Sequence, residues 1–301
     1  MGISVCIATY RRLERLEALL LDLTRQGLLP SEVVVVDNDA AGSARAVIER
    51  CRELALPFPI HYDIQPQKNI SLTRNRTVEL SQHEWLAFVD DDERAPDFWL
   101  QRLAAAVQEY SADGVLGPVD PVVPEDAPSW IRRGRFYDFP RMRTGSVVPP
   151  NRLRFGNLLL RASAVKSMEV MFDPAYGLTG GEDGDLLSRM VLRGARIVWC
   201  DEALVHEPIE KSRLNLKWLL RRSLRGGQDF ARHLLSGRYG PRTAGRLRLF
   251  ARALVQFVAA ATIAVVTLPM GRHHSAHWLM KASANIGKLS IFLGWHYREY
   301  A

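Results

Sequence analysis

Three consecutive carboxylates, Asp90, Asp91 and Asp92, follow the apolar run Trp85 to Val89. Adjacent carboxylates repel one another, and a fold tolerates them when a cation or oriented dipoles offset the charge. A hard divalent cation takes oxygen ligands and commonly shares them with substrate phosphates. Side chains alternate along an extended segment, so Asp90 and Asp92 can face one cleft while Asp91 points elsewhere. The competing reading is a solvated turn after a strand. A second acidic pair, Glu182 and Asp183, follows Gly180 and Gly181, where the missing Cβ atoms let backbone pass close to a ligand. Asp185 comes next and opens an amphipathic segment running to Arg193, so these acids can equally cap a helix and favour its dipole. His206 stands alone in LVHEP, and a lone histidine is either a metal ligand or a structural hydrogen-bonder.

The segments around these residues alternate in period. Ile3 to Ala8, Glu32 to Val36, Ile60 to Ile64 and Trp85 to Val89 read as buried strands. Leu13 to Gln26, Ser43 to Ala55, residues 71–82 with Ser71 as N-cap, and Asp97 to Tyr110 read as helices between and after them. Strand–helix alternation with β-branched strands gives an α/β class with a mostly parallel central sheet. Ligands of such sheets bind at the carboxyl ends of the strands. Thr9, Tyr10 and Arg11 follow the first strand, Asp37, Asn38 and Asp39 the second, and the acidic triplet the fourth, so all three groups converge on one rim. Residues 118–152 are rich in proline and aromatics and read as a long irregular loop. Within it, Trp130 and Tyr137 can stack on a ligand ring or pack the loop down. Further strands are expected near Phe155 to Leu160 and Ile197 to Cys200.

Charge divides the chain in two. Residues 211–301 hold sixteen Lys/Arg against two Asp/Glu, while residues 1–210 hold twenty-four against thirty-one. The expected organisation is a catalytic Rossmann-like domain over 1–210 and a basic, apolar, helical membrane-association region over 211–301. Residues 214–236 read as a basic helix, Ala253 to Gly271 is a run of nineteen uncharged residues, and 276–297 is apolar with Lys281, Asn285 and Lys288 on one face. A helix of nineteen residues spans about 28 Å, near the lower limit for a bilayer core. A single span, an in-plane or re-entrant helical pair and a buried core helix remain open. The long apolar run favours a membrane surface over nucleic acid as the partner of the basic tail. Cys6, Cys51 and Cys200 are scattered, with no zinc-ligand spacing, which suggests reduced thiols in a cytosolic compartment. The chain starts directly on a strand-like run, with no signal peptide expected ahead of it.

Five ordered segments carry a family resemblance. FVDDDE resembles the Asp-x-Asp element of inverting family 2 glycosyltransferases with the GT-A fold; SVCIATYRR resembles that family's first strand and nucleotide-contacting loop, and VVVVDN its second strand. NISLTRNRTVEL resembles the helix with an Arg-Asn pair, here Arg74 and Asn75, and GGEDGDL the later acidic motif. QPQKNISLTRNR, GGEDGDLLSRM and RRSLRGGQ are most similar to the succinoglycan-type exopolysaccharide enzymes. The resemblance implies that Thr9 and Tyr10 line the nucleoside pocket, with Arg11 near the diphosphate. It implies that Asp37 accepts a hydrogen bond from a uracil imide and that Arg74 holds the nucleotide side of the site. It further implies that Asp90, with Asp91 beside it, meets the ribose, and that Asp92 holds Mg²⁺ or Mn²⁺. Where the family usually has Asp-Asp-Gly-Ser, this chain has Asp37, Asn38, Asp39 and Ala40, which leaves the following turn uncertain.

Transfer with inversion needs a base that approaches from the face opposite the leaving group, on a different segment from the metal carboxylates. The resemblance points to Asp183 as that base, with Glu182 contacting the acceptor, and to His206 as completing the metal shell. The function implied is transfer from a UDP-sugar, UDP-glucose first, to a lipid-linked oligosaccharide at the cytoplasmic face of a bacterial inner membrane. The alternatives are a nucleotidyltransferase acting on sugar phosphates, against which the glycine-free ATYRR loop speaks, and a non-catalytic membrane scaffold.

Overall fold

A computed structural model describes residues 1–239 and 245–299. In chain order the elements are β1 (Ile3–Thr9), α1 (Leu13–Leu23), β2 (Glu32–Asp37), α2 (Arg45–Glu53), β3 (Ile60–Ile64), α3 (Ile70–Leu80), β4 (Trp85–Val89), α4 (Trp99–Glu109), β5 (Gly114–Leu116) and β6 (Val119–Val122). There follow α5 (Ser129–Gly134), β7 (Asn157–Arg161), α6 (Ala162–Lys166), α7 (Glu182–Leu192), β8 (Ile197–Trp199), β9 (Val205–Pro208), α8 (Leu216–Leu235), α9 (Arg246–Val266) and α10 (Arg272–Ser290).

Seven strands form one sheet in the order β3-β2-β1-β4-β7-β5-β8, and β6 with β9 forms a separate two-stranded sheet. β1 pairs in parallel with β2 and with β4, β2 with β3, and β5 with β8. Only β7 runs against its neighbours β4 and β5. Alternation along the strands divides the core between the two faces. Ile3, Val5 and Ile7 pack with Leu16, Leu19, Leu20 and Leu23 of α1 on one face, and Cys6, Phe88, Leu158 and Leu160 pack with Leu186 and Met190 of α7 on the other. The apolar spacing of α1 is what buries those four leucines.

The strand order reverses between β1 and β4, and a crevice opens at such a switch point at the carboxyl ends of the strands. The antiparallel run of β7 brings its amino end to the same edge, with Asn157 opposite Val89 in register. The residues just before β7 therefore lie beside the residues just after β4.

Several expectations are adjusted. Asn69, not Ser71, caps α3, its side chain accepting from the Leu72 N–H at 3.1 Å. The proline-rich segment contains β6 and the short helix α5 rather than only loop. The described chain divides into two compact units, Met1–Asp120 with Phe139–Glu207, and Pro121–Asp138 with Pro208–Glu299. Pro121–Asp138 belongs with the C-terminal helices in the second of these units. There Trp130 packs against Phe136 at 5.6 Å, and Tyr137 is buried with its hydroxyl donating to the Arg213 carbonyl at 2.8 Å. Both aromatics pack the segment down.

Candidate active site

The first unit brings the carboxyl edge together as expected, with Thr9, Asp37 and the triplet at the ends of β1, β2 and β4. The triplet is divided by burial. Asp91 is enclosed, its Oδ2 accepting from Thr9 Oγ1 at 2.8 Å and its Oδ1 from Arg12 at 2.7 Å. Burial, aided by Asp92 and opposed by Arg12, pushes the Asp91 carboxyl up to about 6. Asp91 thus ties the ends of β1 and β4 to each other. Asp92 faces two cations, with Arg12 at 3.1 Å and Arg15 at 3.8 Å. Burial works against the charge on Arg12, but Asp91 and Asp92 outweigh it and hold its pKa above the ordinary value. The Asp90 side chain is the most open of the three, at 42% exposure.

Arg11 and Arg12 part company because Arg11 adopts a left-handed backbone, with φ of 54°. Its guanidinium turns to Asp39, at 2.8 and 3.3 Å, and lowers that carboxyl to about 2. Arg12 meets the triplet instead. Tyr10 lies under two cations, Arg11 at 5.1 Å and Lys68 at 5.0 Å from its ring centroid.

Asp37 is fully buried and organises the turn that follows β2. Its carboxylate accepts from the Asp39 N–H at 2.9 Å, the Ala44 N–H at 2.8 Å and the Tyr62 hydroxyl at 3.1 Å. Three of its roughly four acceptor positions are in use. Asn38 joins this turn to the loop after β3, donating to the carbonyls of Gln65 and Gln67 at 2.9 and 2.8 Å.

The central link is Arg74 of α3. It is buried, donates to Glu182 Oε1 through Nη1 and to Asp90 Oδ1 through Nη2 at 3.1 Å, and stacks on Phe155 at 4.4 Å. One guanidinium therefore joins the acid that follows β4 to the acid that opens α7. A planar fork with several donors suits this double task. Gly181, with φ of 92°, caps α7, and Glu182, Asp183 and Asp185 occupy its first turn, where the helix dipole favours negative charge. Asp183 Oδ2 accepts from the Phe155 N–H at 2.9 Å, which orients its carboxylate. Asp185 is buried against Arg189 at 2.7 Å, four residues on, and is a structural partner of its own helix.

Two neighbours went unnoticed in the sequence. Glu93 is buried, and its Oε2 accepts the Asp90 N–H at 3.0 Å. Burial, with Asp90 and Asp92 adding to it, holds its carboxyl well above the usual range. Gly156 has φ of 113°, and a Cβ there would lie 2.7 Å from Glu93 Oε1 and 3.6 Å from Asp90 Oδ2, so only glycine fits. The final letter of FVDDDE was the available signal for the first. Gly156 needed the register of β7.

His206 sits across an antiparallel bridge from Arg94, with backbone hydrogen bonds of 2.8 and 2.9 Å, which sets it beside the triplet's outgoing chain. Its Nδ1 is 3.8 Å from Asp120 Oδ2. Among the described residues, no three His, Cys, Asp or Glu side chains converge as a complete metal cage. Oxygen donors at Asp90 and Asp92 do fit a cation that takes one or two carboxylates and draws its remaining ligands from substrate phosphates.

The model of Glycosyl transferase family 2 matches residues 4–166. The succinoglycan biosynthesis protein ExoM of Rhizobium meliloti (strain 1021) is 36% identical over 301 residues, covering 98% of this chain and 94% of that one. Among solved structures, the mannosyltransferase PcManGT from Pyrobaculum calidifontis, in complex with GDP-Man and Mn²⁺, has a TM-score of 0.66 at 17% identity, over 97% of this chain and 86% of that one. S. aureus TarS 1-349 in complex with UDP-GlcNAc has a TM-score of 0.57 at 17% identity, over 99% and 93%. At such identities the structural likeness concerns the fold, which is GT-A.

Proposed function

The chain belongs to glycosyl transferase family 2, and from that premise we propose that it moves a hexosyl group, with inversion, from a UDP-sugar to a lipid-linked oligosaccharide. UDP-glucose is the first donor to test. The likeness to ExoM, a succinoglycan biosynthesis protein, supports a place in the synthesis of a bacterial exopolysaccharide. The location proposed with it is the cytoplasmic face of the inner membrane. The observation that carries the reading is Arg74 bonded at once to Asp90 and Glu182, because it holds a donor carboxylate and an acceptor carboxylate in one fixed arrangement.

In this reading the nucleoside enters beside Thr9 and Tyr10, and Asp37, buried itself, shapes the turn against which the base would lie. Asp90 takes the ribose hydroxyls. Asp92, with His206 nearby, would hold Mg²⁺ or Mn²⁺, which would stabilise the charge that develops on the leaving diphosphate. Asp183 accepts the proton of the acceptor hydroxyl as that oxygen bonds to the anomeric carbon. The bond from that carbon to the diphosphate breaks, and UDP departs. Glu182 orients the acceptor and Arg74 keeps Glu182 in place. The Phe155 N–H holds Asp183 by one oxygen and leaves the other for the hydroxyl.

The test is a donor screen by nucleotide release, with and without divalent metal, followed by transfer to a lipid-linked acceptor. Asp92→Ala should abolish metal-stimulated turnover, and Asp183→Asn should lower transfer by roughly 10²–10⁴-fold, the usual contribution of a general base. Full transfer by Asp183→Asn removes the base assignment. Equal turnover in chelator and in Mn²⁺ removes the metal.

A further inference from the structure

The second unit carries a surface that the chemistry of transfer does not use. α9 turns one side to α10, burying Leu249, Ala253, Ala260 and Ala264. Its other side is apolar and open: Leu247, Leu254, Val255, Val258, Val265 and Val266 are 81, 44, 68, 55, 72 and 66% exposed. Leu268 and Met270, at 57 and 67%, extend the strip past the end of the helix, and Leu293, at 85%, adds to it at the other end, where Phe292 packs on Phe250. Exposed apolar area of this extent marks an interaction surface. Arg246, Arg248 and Arg252 are exposed at the start of α9 and Arg272 just after it, and no acidic residue occurs between Asp229 and Glu299.

We infer that the open face of α9 lies in the plane of an anionic bilayer surface, with its apolar strip in the headgroup–acyl boundary and its arginines on lipid phosphates. Two features select this occupant. A second copy of the chain meeting α9 face to face would set arginine against arginine in either direction, whereas anionic headgroups complement both ends. A helix crossing the bilayer is disfavoured by what α9 is fastened to. Ser275 of α10 donates to the Ala264 carbonyl at 2.8 Å, and at the far end Phe250 meets Phe292 at 5.3 Å, so α10 follows α9 along its length. α10 is in turn locked backbone to backbone on α8: a Cβ on Gly227 would lie 1.9 Å from the Ala284 carbonyl oxygen, and one on Gly287 2.0 Å from that of Leu224. Insertion of α9 would draw exposed Lys281, midway along α10, to the bilayer centre, where a charge is most costly. Lying flat, α9 immerses only its open face, to a depth of roughly 5–10 Å.

The inference rests on the proposed reading for the presence of a bilayer, but not on the donor, the metal or the base. The test uses the full chain with vesicles of phosphatidylglycerol and phosphatidylethanolamine, and with phosphatidylcholine vesicles. Flotation should favour the anionic vesicles by roughly tenfold at low salt and lose that margin at high salt. Leu254→Asp with Val258→Asp, both at exposed positions, should lower partitioning by at least roughly tenfold while nucleotide release continues, which shows that the variant is folded. Cys6, Cys51 and Cys200 are all buried, so single cysteines introduced at Val258 and Val265 accept a fluorescent label selectively. Quenching by brominated lipids should place both labels at the same shallow depth. Unequal depths, with one label near the midplane, overturn the in-plane arrangement in favour of a span. A chain that remains unbound to every vesicle, or that dimerises through α9 until Val258→Asp separates it, overturns the inference. Transfer to a water-soluble acceptor by such an unbound chain would leave the transferase reading standing, and vesicle binding without any sugar transfer would do the reverse.

Discussion

Arg74 offers the sharpest test of how the site is held together. Replacing it with methionine keeps most of the volume against Phe155 and removes the charge between Glu182 and Asp90. The two contacts differ in weight. The Asp90 side chain is 42% exposed, so water screens that pair and its loss costs at most about 1 kcal/mol. The Glu182 side chain is 3% exposed, and removing one partner of such a buried pair costs about 3–5 kcal/mol. The low end applies because methionine preserves packing, which gives a total near 3 kcal/mol, or roughly 6–12 °C in melting temperature for a unit of this size. Glu182→Gln in the same chain removes the buried charge, and the double variant should recover about 2 kcal/mol relative to the sum of the single changes. Urea unfolding of the four proteins measures this coupling directly. Transfer activity should stay lost in the double variant, because the stability of α7 returns but the alignment of Asp90 with Glu182 does not. Single effects that add to within about 0.5 kcal/mol would refute the account, since independent sites behave in that way.

Asp185→Asn separates structure from chemistry at the second acidic motif: loss of the Arg189 pair should lower stability by about 1–3 kcal/mol and leave the kcat of the folded enzyme unchanged. Arg12→Met should destabilise the chain by about 1–2 kcal/mol, with the figure reduced for its 37% exposure, and thermal melts should show Mn²⁺ stabilising this variant more than the wild type. An equal Mn²⁺ shift in both proteins would mean that Arg12 and the metal do not share Asp92. Asp39, lowered from 3.8 to about 2 by Arg11, contributes stability that is fully present above the ordinary carboxylate range and is lost as pH falls through the folded value. The stability difference between wild type and Arg11→Met should therefore hold steady from neutral pH to about 4 and shrink below it, as followed by urea titrations at each pH. A difference that grew on acidification would reverse the sign.

Much of the first unit is legible locally. The apolar runs of β1, β2 and β4 end on polar residues, and parallel strands deliver such endings to one edge, so Thr9, Asp37 and the triplet group together from the sequence pattern. The family resemblance added roles that spacing alone leaves open. Boundaries were less legible where side chains compete for the same turn: Asn69 caps α3 although Ser71 was the expected cap, because the Asn69 side chain reaches the Leu72 N–H. Pro121–Asp138 read as loop because prolines mask the short α5, whose order comes from packing Ile131, Phe136 and Tyr137 against other residues of the second unit.

Apolar periodicity and charge are local properties of the chain, and they suffice for the α/β class, the acidic and basic division, and which strand ends carry carboxylates. The tertiary structure alone decided which charges meet. Arg74 reaches Asp90 across 16 residues and Glu182 across 108, and no spacing rule connects them. A left-handed turn at Arg11 gave the triplet to Arg12, and the antiparallel register of β7 laid Gly156 against Asp90 and Glu93. Likewise, the fastening of α9 to α10 decided which side of its apolar run remains open. Pairings of this kind depend on strand register and on helix rotation, which are set by the packing of the whole unit.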